Sequence, residues 1–155
     1  MIENKTYKAI VKINTDRIYI GDPCYCLKND ALYNQLCSGG NGIHEAKDIL
    51  GNIVALSTNT AYGDGEYKGT ISSGETEIVH FGVDSGMLGV VFGNNIEDDS
   101  LDRILTGTKI LNIPTGVAII EFIKKNDGLF EINIMDENKH QLYFIEINTI
   151  GEEND

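Results

Sequence analysis

The stretch that decides the fold is residues 117–147, VAIIEFIKKNDGLFEINIMDENKHQLYFIEI. It contains three short segments in which apolar residues recur at alternate positions, the pattern of a half-buried β-strand. Asn126-Asp127-Gly128 and Asp136-Glu137-Asn138 lie between them and are typical turn sequences. The stretch therefore predicts a three-strand meander with strands at Val117–Ile123, Leu129–Met135 and Leu142–Ile147.

The rest of the chain contains more short strand patterns, separated by residues that favour turns. Two short helices are predicted at Asn29–Cys37 and Asp99–Leu105, each preceded by a residue suited to the N-cap. The remaining predicted strands are Tyr7–Ile13, Arg17–Ile20, Ile53–Ser57, Glu77–Val83 and Gly89–Phe92, the first two forming a hairpin around Asn14-Thr15-Asp16.

These elements predict a mainly-β fold, either a sandwich or a partly open barrel, with two short helices and the C-terminal meander. The length of 155 residues fits one domain, which we expect to span residues 1–150. Residues 151–155 are predicted to be a frayed acidic tail.

Charge and composition limit the classes of function. Lys plus Arg is 12 and Asp plus Glu is 24, so the formal charge is -12. A negative field repels phosphate groups, which argues against a groove for duplex nucleic acid. No apolar run approaches the roughly 20 residues that span a bilayer. The chain has an odd number of cysteines, three, and no export signal at its start, which predicts reduced thiols and a cytoplasmic location.

Three segments combine Asp with Gly or Pro at strand ends: Gly21-Asp22-Pro23-Cys24-Tyr25, Tyr62-Gly63-Asp64-Gly65-Glu66-Tyr67 and Val83-Asp84-Ser85-Gly86. Together they resemble an uncharacterised family of small bacterial and phage proteins, a domain of unknown function. That family has an Asp-Pro near its start, a Gly-x-Tyr in the middle and a Val-Asp-Ser-Gly or Val-Asp-Ala-Gly further on. The resemblance covers residues 16–92 and implies a mainly-β fold but no activity.

The candidate ligand-binding residues are in these three segments, which we expect to form one mouth at an end of the sheet. Tyr side chains suit stacking on a flat ligand, while Asp and Ser supply polar contacts. If the three carboxylates converge, they could instead bind a hard cation; alternatively, each Asp could form an Asx-turn with its own backbone. The candidates are Asp22, Tyr25, Tyr62, Asp64, Tyr67, Asp84 and Ser85.

Other patterns are weaker. Cys24, Cys26, Cys37 and His44 lack the usual zinc-knuckle spacing. Ser85 stands one place late for a nucleophile elbow, and His80, in an apolar strand, is expected to be a packed or hydrogen-bonded histidine. The chain has no pattern for a phosphate-binding loop, and we predict no cofactor.

Three hypotheses of function follow. The first is a non-enzymatic module that binds a small molecule, for example by sequestering a nucleotide-like metabolite. The second is a metal-dependent hydrolase that uses the clustered Asp residues. The third is an interaction or inhibitor protein that acts through its acidic surface. Exposed edge strands of an open sheet also allow a homo-oligomer.

Overall fold

The computed structural model describes residues 6–25, 27, 30–37, 42–60, 64–83, 85–93, 109–125 and 129–148. In this part of the chain, helix α1 spans Asp30–Leu36 and a 3-10 turn spans Pro23–Tyr25. The strands, in chain order, are β1 Thr6–Asn14, β2 Arg17–Gly21, β3 His44–Lys47, β4 Ile53–Asn59, β5 Gly65–Ser72, β6 Thr76–Val83, β7 Met87–Phe92, β8 Lys109–Asn112, β9 Val117–Lys125, β10 Leu129–Met135 and β11 Gln141–Asn148.

The strands form two antiparallel sheets that pack face to face as a sandwich. The first sheet has the order β1-β9-β10-β11-β5-β6, and the second has the order β3-β4-β7-β2-β8. Each sheet ends in edge strands, so the fold is not a closed barrel. The main core lies between the sheets and joins side chains such as Phe122 and Ile132 of the first sheet to Ile20 and Val90 of the second.

The helix α1 covers the outer face of the second sheet. Its two buried residues, Leu32 and Leu36, pack in a smaller core with Tyr19, Ala55 and Val91. The helix predicted at Asn29–Cys37 is therefore confirmed. The helix predicted at Asp99–Leu105 lies outside the described residues, as does the acidic tail. Among the described residues, no helix is long and apolar enough to span a bilayer.

The C-terminal meander is confirmed as strands β9, β10 and β11. The alternation of apolar residues predicts this meander because every second residue of β9, namely Ala118, Ile120 and Phe122, faces the core. The turn after β10 is held by Asp136, whose Oδ1 accepts hydrogen bonds from the backbone N–H groups of Asn138 and His140, each at 2.9 Å.

The predicted hairpin between Tyr7–Ile13 and Arg17–Ile20 is wrong. β1 pairs along its whole length with β9 in the first sheet, whereas β2 pairs with β7 and β8 in the second. The chain crosses between the sheets at Thr15, which is buried and donates its backbone N–H to the Gly116 carbonyl at 2.9 Å. The turn residues were identified correctly, but a turn can also connect strands of different sheets.

Candidate functional site

Asp22 holds two of the three predicted segments together. Its fully buried carboxylate accepts the backbone N–H of Cys24 at 2.9 Å, which is the Asx-turn expected of an Asp before Pro. The same carboxylate accepts the Ser85 Oγ–H at 2.6 Å and the Ser85 backbone N–H at 2.9 Å. We call Asp22 and Ser85 the clasp, because this contact joins segments 63 residues apart.

The clasp also fixes helix α1 through Tyr33. The pKa of the Tyr33 phenol is raised to about 12, mainly by burial; a hydrogen bond with Ser85 lowers it, and the charges of Cys37, Cys24 and Asp22 contribute to the rise. Tyr33 therefore keeps its proton at neutral pH and ties the helix to the loop before β7.

The middle segment and the residue Thr60 shortly before it lie close to the clasp. Thr60 donates its backbone N–H to the Gly86 carbonyl at 3.0 Å, and Gly65 pairs with Val83 where β5 and β6 meet. The described parts of the three segments thus lie together at one end of the sandwich.

The predicted ligand-binding side chains in the middle segment have different surroundings. Tyr67 is only 3% exposed and belongs to the main core, with its hydroxyl 3.4 Å from Thr60 Oγ1. It is therefore not placed to stack on a ligand. Asp64 is exposed. Tyr62, Asp84 and the side chain of Tyr25 lie outside the described part of the structure.

The clasp itself is built as a structural contact. The Asp22 carboxylate accepts three hydrogen bonds, two of them from backbone N–H groups, so its oxygens already have donors where a cation would bind. Within the described residues, no group of three or more His, Cys, Asp or Glu side chains is placed to hold a metal ion. Cys24 and Cys37 are exposed free thiols, and Cys26 lies outside the described residues.

The histidines offer no base to Ser85 in the described contacts. His80 is on the exposed side of β6, where its Nδ1 lies 3.9 Å from Glu66 Oε1. His44 is half-buried at the start of β3. The Ser85 hydroxyl donates directly to a carboxylate, which is an arrangement that positions a loop.

A cleft of about 620 Å³ opens at the other end of the second sheet. It lies between the last residues of β1, the first residues of β4 and the end of β7. The pairing of β2 with β7 shows that the cleft and the clasp lie at opposite ends of the second sheet. Ile18 pairs with Phe92 at the cleft end, and Gly21 pairs with Gly89 near the clasp. The apolar walls of the cleft are Val11, Ile13, Ile53, Val54 and Phe92.

The rim of the cleft is polar and partly rigid. Lys12, Asn14, Asp48 and Asn52 contribute to it, together with Gly51 and Gly93. Asp48 Oδ1 accepts the backbone N–H groups of Leu50 and Asn52, each at 2.9 Å, and so fixes the turn between β3 and β4. Gly51 has φ of 85°, which favours glycine at that position.

Sequence reasoning missed the cleft. Val11 and Ile13 follow the same alternation as core residues, and Phe92 ends an apolar strand, so no local signal separates a cleft wall from a core. Among the described residues β1, Thr6–Asn14, is an edge strand of the first sheet, and that position follows from strand pairing that the sequence does not reveal.

Comparison with known proteins adds no further assignment: no family model, no curated protein and no solved structure matches the chain. The resemblance of residues 16–92 to a domain of unknown function therefore stays a prediction.

Proposed function

We propose that this protein is a non-enzymatic module that binds a small molecule, and that the ligand occupies the cleft between the two sheets. The observation that carries the proposal is the cleft itself. Its volume of about 620 Å³ is in the range of small-ligand sites, and its lining combines apolar side chains with polar groups that could orient a ligand.

The lining favours a neutral ligand with both apolar and polar groups. The apolar surface that is open to a ligand is aliphatic, because Val11, Ile13 and Ile53 are half-buried whereas Phe92 is only 3% exposed. Lys12 is the one cationic side chain among the described residues that line the cleft, and its Nζ lies 3.8 Å from Glu137 Oε2 in an exposed, weak ion pair. A nucleotide-like metabolite, the ligand class suggested by the sequence, needs charge-assisted contacts to its phosphates. The cleft walls offer apolar contact instead.

The clasp supports a binding module over a metal-dependent hydrolase. That hydrolase would use Asp22, and the three hydrogen bonds at Asp22 make its carboxylate a brace for the loops. We place the protein in the cytoplasm as part of the same proposal, and the free thiols of Cys24 and Cys37 support this location.

The proposal is tested by titration with N-phenyl-1-naphthylamine, a neutral probe whose fluorescence rises in apolar surroundings. We expect saturable binding to the wild-type protein. Ile13→Thr puts a hydroxyl on the cleft wall and removes one carbon, and should weaken binding by about tenfold. The matched control is Ile123→Thr, because Ile123 is a half-buried isoleucine on the outward side of β9.

Equal binding by the wild-type protein and both variants would place the probe elsewhere and refute the proposed site. Native mass spectrometry of protein purified from cells is a second test. We expect an added mass on the wild-type protein that Ile123→Thr keeps and Ile13→Thr loses. An added mass that persists in Ile13→Thr would also contradict the proposal.

A further inference from the structure

The turn between β3 and β4 presents two aliphatic side chains to solvent. Ile49 is 102% exposed and Leu50 is 81% exposed, the two highest values among the exposed large apolar residues. We call this pair the tip. The turn is not loose, since Asp48 accepts two backbone N–H groups and the Asp48 N–H donates to the Asn52 carbonyl at 2.9 Å. A rigid turn with two exposed aliphatic residues is a ready-made anchor for a contact.

The tip stands beside the cleft. Asp48, Gly51 and Asn52, which flank the tip in sequence, also line the cleft. One molecule therefore carries an apolar knob beside a hollow that is partly walled by the half-buried Val11, Ile13 and Ile53. Because the tip and the cleft are adjacent, a two-fold axis between two copies can place the tip of each copy in the cleft of the other. Such a contact uses the same surface on both copies and stops at a dimer.

We propose that the tip of one copy occupies the cleft of a second copy, so that the protein forms a reciprocal homodimer. A further consequence, which rests on the proposed function of the cleft, is that ligand and second copy exclude one another. The ligand then controls the oligomeric state.

The size of the contact sets its strength. Full burial of one such side chain removes roughly 60–120 Å² of apolar surface from water. Four side chains and the walls they cover give a total of roughly 800 Å², which is in the range of weak, transient contacts. We therefore expect a dissociation constant in the micromolar range rather than a permanent dimer.

Charge gives an independent signature. Each copy carries a formal charge of -12, so two copies repel one another. Near the contact the charges are mixed, with Lys47 Nζ 3.7 Å from Glu45 Oε1 and Lys12 beside Glu137. Added salt screens the overall repulsion and leaves the apolar contact intact, so the dimer should become tighter as salt rises.

The test is sedimentation velocity on the full chain from about 1 to 500 µM, with the double variant Ile49→Ser, Leu50→Ser. We expect a monomer–dimer equilibrium for the wild-type protein and a dissociation constant at least about tenfold higher for the tip variant. The matched control is Ile78→Ser, because Ile78 is 60% exposed on β6 of the other sheet. It should dimerise as the wild-type protein does.

A wild-type protein that is monomeric throughout, or a tip variant that dimerises normally, would overturn the dimer. A dimer that weakens with salt would overturn the apolar contact. Saturating N-phenyl-1-naphthylamine should shift the wild-type protein to monomer, and a dimer that persists would overturn the exclusion. The tip variant keeps its cleft walls, so its binding of the probe tests the proposed function separately from the dimer.

Discussion

Replacing Asp22 by Ala should destabilise the protein far more than the same substitution at the exposed Asp64. The Asp22 carboxylate is fully buried and accepts two backbone N–H groups and one hydroxyl. The substitution removes all three acceptors at once. It leaves the N–H groups of Cys24 and Ser85 without the partner that positions both loops.

The magnitude follows from these three bonds. A hydrogen bond to a charged group contributes about 1.5–3 kcal/mol. Water reaches part of the site, because Cys24 is exposed and Ser85 is half-buried, and removal of the buried carboxylate recovers its desolvation cost. We therefore expect a loss of about 3 kcal/mol in the free energy of unfolding, or about 6–12 °C in Tm for a chain of this size.

Urea denaturation followed by tyrosine fluorescence measures this loss, since the chain has seven Tyr and no Trp. Ser85→Ala removes one of the three bonds and should cost about 1 kcal/mol. Asp64→Ala is the matched control, because Asp64 is exposed, and should change the stability by less than about 0.5 kcal/mol. If Asp22→Ala costs no more than Asp64→Ala at an unchanged m-value, the clasp is not structural and our reasoning is refuted.

Three further outcomes are expected. Gly89→Ala should destabilise the fold by at least about 3 kcal/mol in thermal denaturation, because its Cβ would overlap the Leu56 carbonyl oxygen; a stable variant would contradict the packing of β4 on β7. Burial raises the pKa of Tyr33 from 10.0 to about 12, so its contribution to stability is complete below pH 10 and is lost as the pH rises towards 12. The Tyr33→Phe variant should therefore lose less stability than the wild-type protein between pH 10 and 12, as measured by urea denaturation. An equal loss in both proteins would count against the burial of Tyr33. The hydrogen bond from the backbone N–H of His140 lowers the pKa of Asp136 below 3.8. The stability that the ionised Asp136 adds is present above pH 3.8 and disappears as the pH falls through the pKa of the folded protein. Carboxyl NMR should show the low pKa, and an ordinary value would contradict the turn geometry.

Local patterns predicted the strands whose own residues carry the signal. Strand β10 was predicted with the observed bounds, Leu129–Met135, and its neighbours differ by one or two residues at their ends. Phe130, Ile132 and Ile134 face the core at alternate positions, so the period of two is visible in the sequence. Here burial and local pattern agree.

Strands that depend on distant partners were missed. β3 is His44–Lys47, where only Ala46 is buried, and β5 is Gly65–Ser72, which contains two Gly and several polar residues. β5 exists because β11 and β6 pair with it on either side. At Gly69 an added Cβ would lie 2.9 Å from the Glu146 carbonyl oxygen, so the close approach of β11 requires glycine there. No local propensity contains that information.

In the candidate site, too, the local contact was predictable from the sequence and the contact between distant segments was not. Turn chemistry predicted that an Asp before Pro bonds to its own backbone, and Asp22 does so at Cys24. The second half of the contact, with Ser85, joins residues whose separation in sequence hides the pair. The burial of Tyr67 was equally hidden, because a Tyr beside a Gly-rich loop reads the same whether it faces a ligand or a core.

The two ends of the second sheet explain why the sequence drew attention to one end and the structure to the other. At the clasp end, Asp, Ser and Gly are required to fix loop backbones, and these are also the residues that form binding loops, so the segment looks functional. At the cleft end, binding would depend on aliphatic side chains such as Val11 and Ile13, which look like ordinary core. The polar groups of the clasp bond to one another, whereas Val11, Ile13 and Ile53 are only half-buried and border the cleft. We therefore propose the cleft end as the ligand site, and neutral compounds with apolar groups are the first to be screened.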